Sequence, residues 1–227
     1  MNTEKIKGSE EEVKIVKSKY KKMRLTILLI LLFIILIYIG NLLITALQVQ
    51  SILQNNVSVD LGNNYKLTRT FNGNTNTTYY KDGIYNCVFS DSTYGLYGKD
   101  NEIYDVMYET KEYQKLNSEY SFSLPYNVTL LNYLSVDKEF VASLKDIMLF
   151  VCQDNIKLHT EIINNQKYLV TEIKASGSKW WVNSDTYLVE KEDHQGQIVE
   201  QNVEKNVVTD EDIKAPWDLG FIEKSEN

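Results

Sequence analysis

The sequence has only two cysteines, two histidines and two prolines among 227 residues. The two histidines, His159 and His194, lie far apart in sequence, and neither C-x-x-C nor H-E-x-x-H occurs, so we predict no metal site. The motif G-x-S-x-G and a phosphate-binding loop are also absent. These absences favour a protein that is not an enzyme and needs no cofactor.

Positive charge is scarce outside the N-terminus. Residues 1–24 contain eight Lys or Arg and four Glu, a net charge of +4, whereas the whole chain carries −7. The remaining residues therefore carry −7 − 4 = −11. A domain this acidic repels phosphate backbones, so we predict that nucleic acid is not a partner.

Charged residues are absent from 25–47, which is the one long apolar run of the chain. As a helix this run is about 35 Å long, enough to cross a hydrocarbon core of about 30 Å. A cleaved signal peptide has a shorter apolar stretch and a small-x-small cleavage site, for which residues 44–46 are a poor match, so an uncleaved anchor is favoured. The basic residues before the run predict a single-pass plasma-membrane protein with a cytoplasmic tail (1–24) and an extracytoplasmic C-terminal domain.

The segment after the anchor, 48–63, is predicted to be a stalk or linker. Val49, Ile52, Leu53 and Val57 are spaced like one stripe of a helix, so the helix is expected to continue into this segment. The pair Asn55-Asn56 offers a plausible end for it. The stalk would lead into a domain at 64–222, followed by a short tail at 223–227.

Residues 64–222 read as short strands joined by tight turns. Asn72-Gly73, Asp82-Gly83, 98–101, Asn164-Asn165 and 193–196 each separate two runs rich in Tyr, Val, Ile and Thr. Repeated hairpins of this kind predict an antiparallel meander. One segment departs from the strand pattern, because the apolar residues of 136–151 recur every three to five positions and predict an amphipathic helix capped by Ser135.

The C-terminal third carries two more specific segments. Residues 180–191 read W-W-V-N-S-D-T-Y-L-V-E-K, and residues 207–216 read V-V-T-D-E-D-I-K-A-P. This pair resembles the lipoprotein-carrier superfamily (LolA- and LppX-like proteins), in particular its membrane-anchored members in Gram-positive bacteria, in which W-x-D-x-x-T-x-L-P-x-K precedes T-D-E-D-I-x-x-P. Two positions depart from that pattern: Val189 stands where the family usually has proline, and Asn183 where it usually has aspartate.

The resemblance implies an α+β outer domain, with a curved antiparallel sheet forming an incomplete barrel and a helix packed on its concave side. In characterised relatives this cavity receives acyl chains of lipids or lipoproteins, or senses mislocalised lipoproteins or envelope stress. Here its wall would be formed by residues of the predicted helix and of the tryptophan pair: Phe140, Leu144, Ile147, Met148, Trp180 and Trp181. The same residues also suit an ordinary core, since the two tryptophans alternate across a strand and one must face inward.

The two cysteines, Cys87 and Cys152, both fall in the outer domain, where oxidation is chemically permitted. Sequence spacing leaves open whether they form a disulfide or remain two buried thiols. The acidic triplet 210–212 lacks the ligand spacing of a calcium loop and is predicted to be a solvated turn.

The leading hypothesis is a membrane-tethered binding module for a hydrophobic ligand, a lipid or an acylated protein, that acts at its own membrane surface. The alternatives are an envelope sensor that signals through protein contacts and a structural subunit of an envelope complex. The partners expected are therefore the bilayer, a lipid or lipoprotein, and an envelope protein.

Overall fold

Alternating side chains and turns with positive backbone angles produce most of the fold. The computed structural model describes residues 3–90, 93–100, 102–116 and 128–224, with side chains from residue 20 onward. Asp82 and Gly83 both have positive φ (48° and 88°), as a two-residue hairpin turn requires. The hairpins predicted at Asn72-Gly73, Asp82-Gly83, Asn164-Asn165 and 193–196 are confirmed.

Twelve strands occur within the described residues, and they form one sheet. The first six are β1 Asn64–Phe71, β2 Asn74–Lys81, β3 Ile84–Val88, β4 Tyr94–Lys99, β5 Glu102–Met107 and β6 Glu112–Lys115. The others are β7 Ile156–Ile163, β8 Gln166–Ile173, β9 Ser178–Asn183, β10 Val189–His194, β11 Gln197–Lys205 and β12 Ile222–Glu223.

The sheet is open and almost entirely antiparallel. Its strand order is β12-β6-β5-β4-β3-β2-β1-β11-β10-β9-β8-β7, so β12 and β7 lie at opposite edges. Two meanders, β1–β6 and β7–β11, join where β1 pairs with β11, with Leu67 opposite Val203. The parallel contact between β12 and β6 is the exception to the antiparallel pattern.

Helix α1, Thr3–Val57, runs without a break from the tail through the apolar run into the domain. The stretch Tyr20–Val57 is long and apolar enough to span a membrane. The helical continuation beyond residue 47 was expected, but its surroundings differ from those of a stalk. Ala46, Val49 and Leu53 are fully buried and Ile52 nearly so, because the domain packs against this end of the helix.

Asn56 fixes the end of α1 to two neighbouring segments. Its side-chain Nδ2 donates to the carbonyl of Tyr187 at 2.8 Å, and its Oδ1 accepts the backbone N–H of Leu131 at 3.1 Å. A buried amide with both ends bonded positions the helix along its own axis. The Asn predicted to stop the helix therefore also joins it to the domain.

The single helix predicted at 136–151 is wrong in its extent. The structure has α2 Leu130–Leu134, α3 Lys138–Ala142 and α4 Leu144–Gln153. Ser135 ends α2 with a left-handed backbone, whereas Asp137 caps α3 and Ser143 caps α4 through their side-chain oxygens. The end of α2 at Ser135 and two N-caps in close succession, Asp137 and Ser143, divide the segment, since each N-cap satisfies a free N–H group of a new helix start.

The C-terminal segment packs on the face of the sheet opposite the helices. The 3₁₀ helix Pro216–Leu219 places the ring of Trp217 between 5.2 and 5.6 Å from the rings of Tyr97, Tyr104 and Tyr113. Aromatic ring pairs at these distances stabilise a fold by more than the burial of their apolar surface alone. The chain end is thereby fixed to β4, β5 and β6.

Candidate binding site

The six side chains predicted to line a cavity are divided between the two faces of the sheet. Phe140, Leu144, Ile147, Met148 and Trp180 belong to the apolar core cluster around the end of α1, where Ile147 is fully buried. We call this side of the sheet, which carries Trp180, the helix face. Trp181 points to the opposite side, the outer face, as strand alternation requires.

The helix face is filled with side chains where the wall was expected. The rings of Phe140 and Phe150 meet edge to face at 5.8 Å, and Tyr133 lies 6.0 Å from Trp180. The sequence had allowed these residues to be either core or cavity wall. In the structure Ile147 and Trp180 are buried, and Phe140, Leu144 and Met148 are partly buried against them.

A cluster of charged and polar side chains around the buried Glu192 lies beside Trp180 on the helix face. The Arg69 guanidinium donates to Glu192, whose side chain is only 2% exposed, and His194 Nε2 lies 2.9 Å from the other Glu192 oxygen. His194 Nδ1 lies 3.1 Å from the Ser178 hydroxyl. Burial, followed by the Glu192 charge, raises the pKa of the nearby Tyr133 phenol. Sequence reasoning missed this cluster because β1 and β10 meet only through the long-range pairing with β11.

The outer face carries a groove of about 390 Å³ around Trp181. Its lining residues are mainly polar and of both charges: Thr68, Thr70, Ile163, Asn164, Tyr168, Trp181, Glu190, Lys191, Glu200, Gln201 and Asn202. We call this the outer-face groove. Burial, with help from the Glu190 carboxylate that accepts from its hydroxyl, raises the pKa of Tyr168 to about 12.

Trp181 is held in position by charged neighbours. Its indole N–H donates to Glu161 at 2.8 Å, and the Lys191 ammonium lies 5.0 Å from its ring centroid. The hydrogen bond from Trp181, with a smaller effect from His159, lowers the pKa of Glu161. The arrangement suits recognition of a polar surface more than of an acyl chain.

A second groove separates α1 from the edge of the sheet. It holds about 240 Å³ and is lined by Gln48, Ser51, Ile52, Leu158, His159, Thr160, Leu169 and Tyr187. We call this the α1–β7 groove. Ile52, Leu158 and Leu169 also belong to the core cluster, so the floor of the groove is apolar while its rim is polar.

The remaining predictions concern the two cysteines, a metal site and the acidic turn. Cys87 and Cys152 are free thiols, the first buried and the second exposed, so the structure has neither the disulfide nor a pair of buried thiols. Within the described residues, no group of three or more His, Cys, Asp or Glu side chains is arranged to hold a metal ion. The segment 209–212 is a turn in which Asp212 accepts from the Thr209 backbone at 2.8 Å.

Comparison with known proteins leaves the family open. No protein-family model and no curated protein matches the chain. An uncharacterized conserved protein from Thermus thermophilus is similar in structure with a TM-score of 0.43 and 10% identity, covering 78% of this chain and 99% of its own. PNGF-II is similar with a TM-score of 0.23 and 12% identity, covering 65% of this chain and 28% of its own. Scores this low carry no argument about function, and the lipoprotein-carrier resemblance stays a prediction.

Proposed function

We propose that this chain is a membrane-tethered, extracytoplasmic module that binds a hydrophobic ligand, a lipid or an acylated segment of a protein, in the α1–β7 groove. The observation that supports it most is the position of this groove. Gln48 and Ser51 line it and follow the apolar run of α1, so an acyl chain that leaves the bilayer along that helix would be led to the groove. The proposal includes no cofactor and no catalytic step.

The lining of the groove matches such a ligand. Ile52, Leu158 and Leu169 offer apolar contacts, while Gln48, Thr160 and Tyr187 offer hydrogen-bonding groups for a polar head. The volume of about 240 Å³ is smaller than the range of roughly 300–1,000 Å³ typical of small-molecule sites. A ligand would therefore insert only part of one chain and leave the rest outside.

The proposed orientation has the tail in the cytoplasm and the domain outside, from the basic residues that precede the apolar run. It also includes a sheet that curves around α1 to α4, as in the lipoprotein-carrier resemblance. Tethering keeps the groove close to its own bilayer and raises the local concentration of membrane-derived ligand. The module would then act locally and would not carry cargo across an envelope.

The test is photo-crosslinking of a diazirine-bearing fatty acid to the full chain in nanodiscs, with the attachment sites mapped by mass spectrometry. Ser51→Trp fills the groove from an exposed position, and we expect it to reduce crosslinking at Leu158 and Leu169 by about tenfold or more, a change of about 1.4 kcal/mol in binding. Ser58→Trp, exposed just beyond α1, is the matched control and should leave the crosslinks unchanged. Equal crosslinking in the wild type and Ser51→Trp would contradict the proposal.

A second candidate is a sensor or subunit that binds an envelope protein through the outer-face groove. The observation that favours it is the presence of Trp181 and Tyr168 beside Lys191, Glu190 and Glu200, a mixture of aromatic and charged groups that suits a polypeptide. A stoichiometric partner recovered from detergent-solubilised membranes and lost with Lys191→Glu would support it. If the Lys191→Glu variant still bound that partner, the outer-face groove would be excluded as the binding site. A loss of signalling when residues 1–16 are deleted would identify a sensor.

A further inference from the structure

Helix α4 runs antiparallel to the outer third of the apolar run. Just before the start of α4, the carbonyl of Val141 accepts a hydrogen bond from Gln50 Nε2 of α1 at 3.0 Å. At its end, the Cys152 sulfur lies 3.8 Å from the hydroxyl of Tyr38. Twelve residues of α1 separate these contacts, about 18 Å, which agrees with the roughly 15 Å length of a ten-residue helix. The end of α4 therefore lies level with Tyr38, well inside the run 25–47.

Polar backbone and charged side chains lie at the same level. Asp154 ends α4, and its carbonyl accepts the backbone N–H of Ala175 at 3.4 Å, which brings the β8–β9 turn to this end. Lys157 on β7 and Lys174 in that turn are exposed nearby. A charged side chain is costly within the hydrocarbon, and irregular lipid-facing backbone is not tolerated there. The hydrocarbon must therefore end near Tyr38.

The remaining length still spans a bilayer. Residues 20–39 make a helix of about 30 Å, equal to a typical hydrocarbon core. Tyr20 and Tyr38 then lie at the two interfaces, where tyrosine is enriched. Lys21, Lys22 and Arg24 reach the cytoplasmic surface by extending their long side chains.

We propose that the outer bilayer surface lies at Tyr38, and that the end of α4 and the β8–β9 turn rest in the headgroup layer, where Lys157 and Lys174 bind phosphate groups of anionic lipids. The inference takes α1 as the membrane span and so depends on that part of the proposed function. Leu149, 48% exposed on α4, supplies an apolar contact for the acyl boundary.

The lysine pair is suited to an anion. Lys174 interacts with Lys157 and repels its charge, which lowers the pKa of Lys157, while Glu172 opposite Lys157 offsets part of this effect. A phosphate between the two ammonium groups would remove the repulsion. Each lysine near an anionic surface adds to the attraction between the protein and the membrane.

The position of the boundary is tested by spin labelling the full chain in nanodiscs. Cys152 is exposed and Cys87 is fully buried, so a nitroxide attaches to Cys152 without other substitutions. We expect its collisions with oxygen and with a water-soluble nickel chelate to place it at the interface. Ser58→Cys in a Cys152→Ser chain is the control and should report water only, since it follows Val57, which lies about 28 Å along α1 from Tyr38.

The outcomes separate the two proposals. A Cys152 label as accessible to the nickel chelate as the Ser58→Cys label overturns the seating of α4. In a Cys152→Ser chain, Leu31→Cys should report the hydrocarbon. If it reports water, α1 does not span the membrane, and the anchor in the proposed function fails as well.

The lysine contacts are tested by lipid composition. Labelled at Cys152, the wild type should lie deeper in discs containing phosphatidylglycerol than in discs of phosphatidylcholine alone. Lys157→Gln with Lys174→Gln should abolish the difference, whereas Lys99→Gln with Lys167→Gln, exposed at the opposite end of the sheet, should retain it. Equal depth of the wild type in both lipids would overturn the assignment of the lysine pair.

Discussion

The contribution of α1 to the domain core can be measured with two leucines on the same helix. Leu53 is fully buried in the core cluster, whereas Leu47, six residues earlier, is 46% exposed. Leu53→Ala removes buried methyl groups and leaves a cavity, which costs about 2–5 kcal/mol of unfolding free energy. Leu47→Ala removes the same atoms from a partly exposed site, and a change within about 0.5 kcal/mol is expected there.

The assay is urea unfolding of the full chain in micelles, followed through tryptophan fluorescence. With a urea dependence of about 1–3 kcal/mol per molar, a loss of 3 kcal/mol lowers the midpoint by roughly 1–3 M. Trp180 lies in the same core cluster as Leu53 and reports its loss directly. If Leu53→Ala lowers the midpoint no more than Leu47→Ala, the end of α1 is a stalk and the reasoning about the core fails.

Two further predictions concern the sheet. Gly98→Ala places a Cβ inside the ring of Tyr85 and should lower the free energy of unfolding by about 1–3 kcal/mol, whereas Gly40→Ala meets nothing within 4 Å and should not, as thermal melts can check. The hydrogen bond from Trp181 lowers the pKa of Glu161 in the folded protein. Its contribution to the free energy of unfolding is therefore complete above the pKa of Glu161 in the unfolded chain, about 4.3, and is lost as pH falls through the lower pKa of the folded protein. Trp181→Phe should raise that folded pKa in a carbon-13 NMR titration, and an unchanged titration would refute the assignment.

Local features of the sequence were sufficient to predict the hairpins. Asp82-Gly83 and Asn164-Asn165 supply positive backbone angles within a few residues of the strands that they join. The alternation of Trp180 and Trp181 was likewise predictable, since successive side chains of a strand face opposite sides. These signals depend on neighbours in sequence, so tertiary contacts did not alter them.

Long-range contacts decided what the sequence could not predict. The stripe Val49, Ile52 and Leu53 was visible, but nothing local distinguished a solvated stalk from a helix packed against α2, α3, α4 and β7, which lie more than 70 residues later in the chain. The pairing of Leu67 with Val203 brings Arg69 to Glu192 in the same way. The break between α3 and α4 at Ser143 depends on which residue caps a helix start, and the spacing of apolar residues gives no information on capping.

The unbroken course of α1 has a geometric consequence. A helix of 55 residues is about 80 Å long and turns by about 100° per residue, so the direction in which the C-terminal domain faces about the helix axis is set by the number of residues between it and the start of α1. One residue inserted at the middle of the span would rotate the domain by about 100°, whereas seven would restore its heading to within about 20°. A partner that binds at both ends of this helix must match the rotation between the two ends as well as the distance between them.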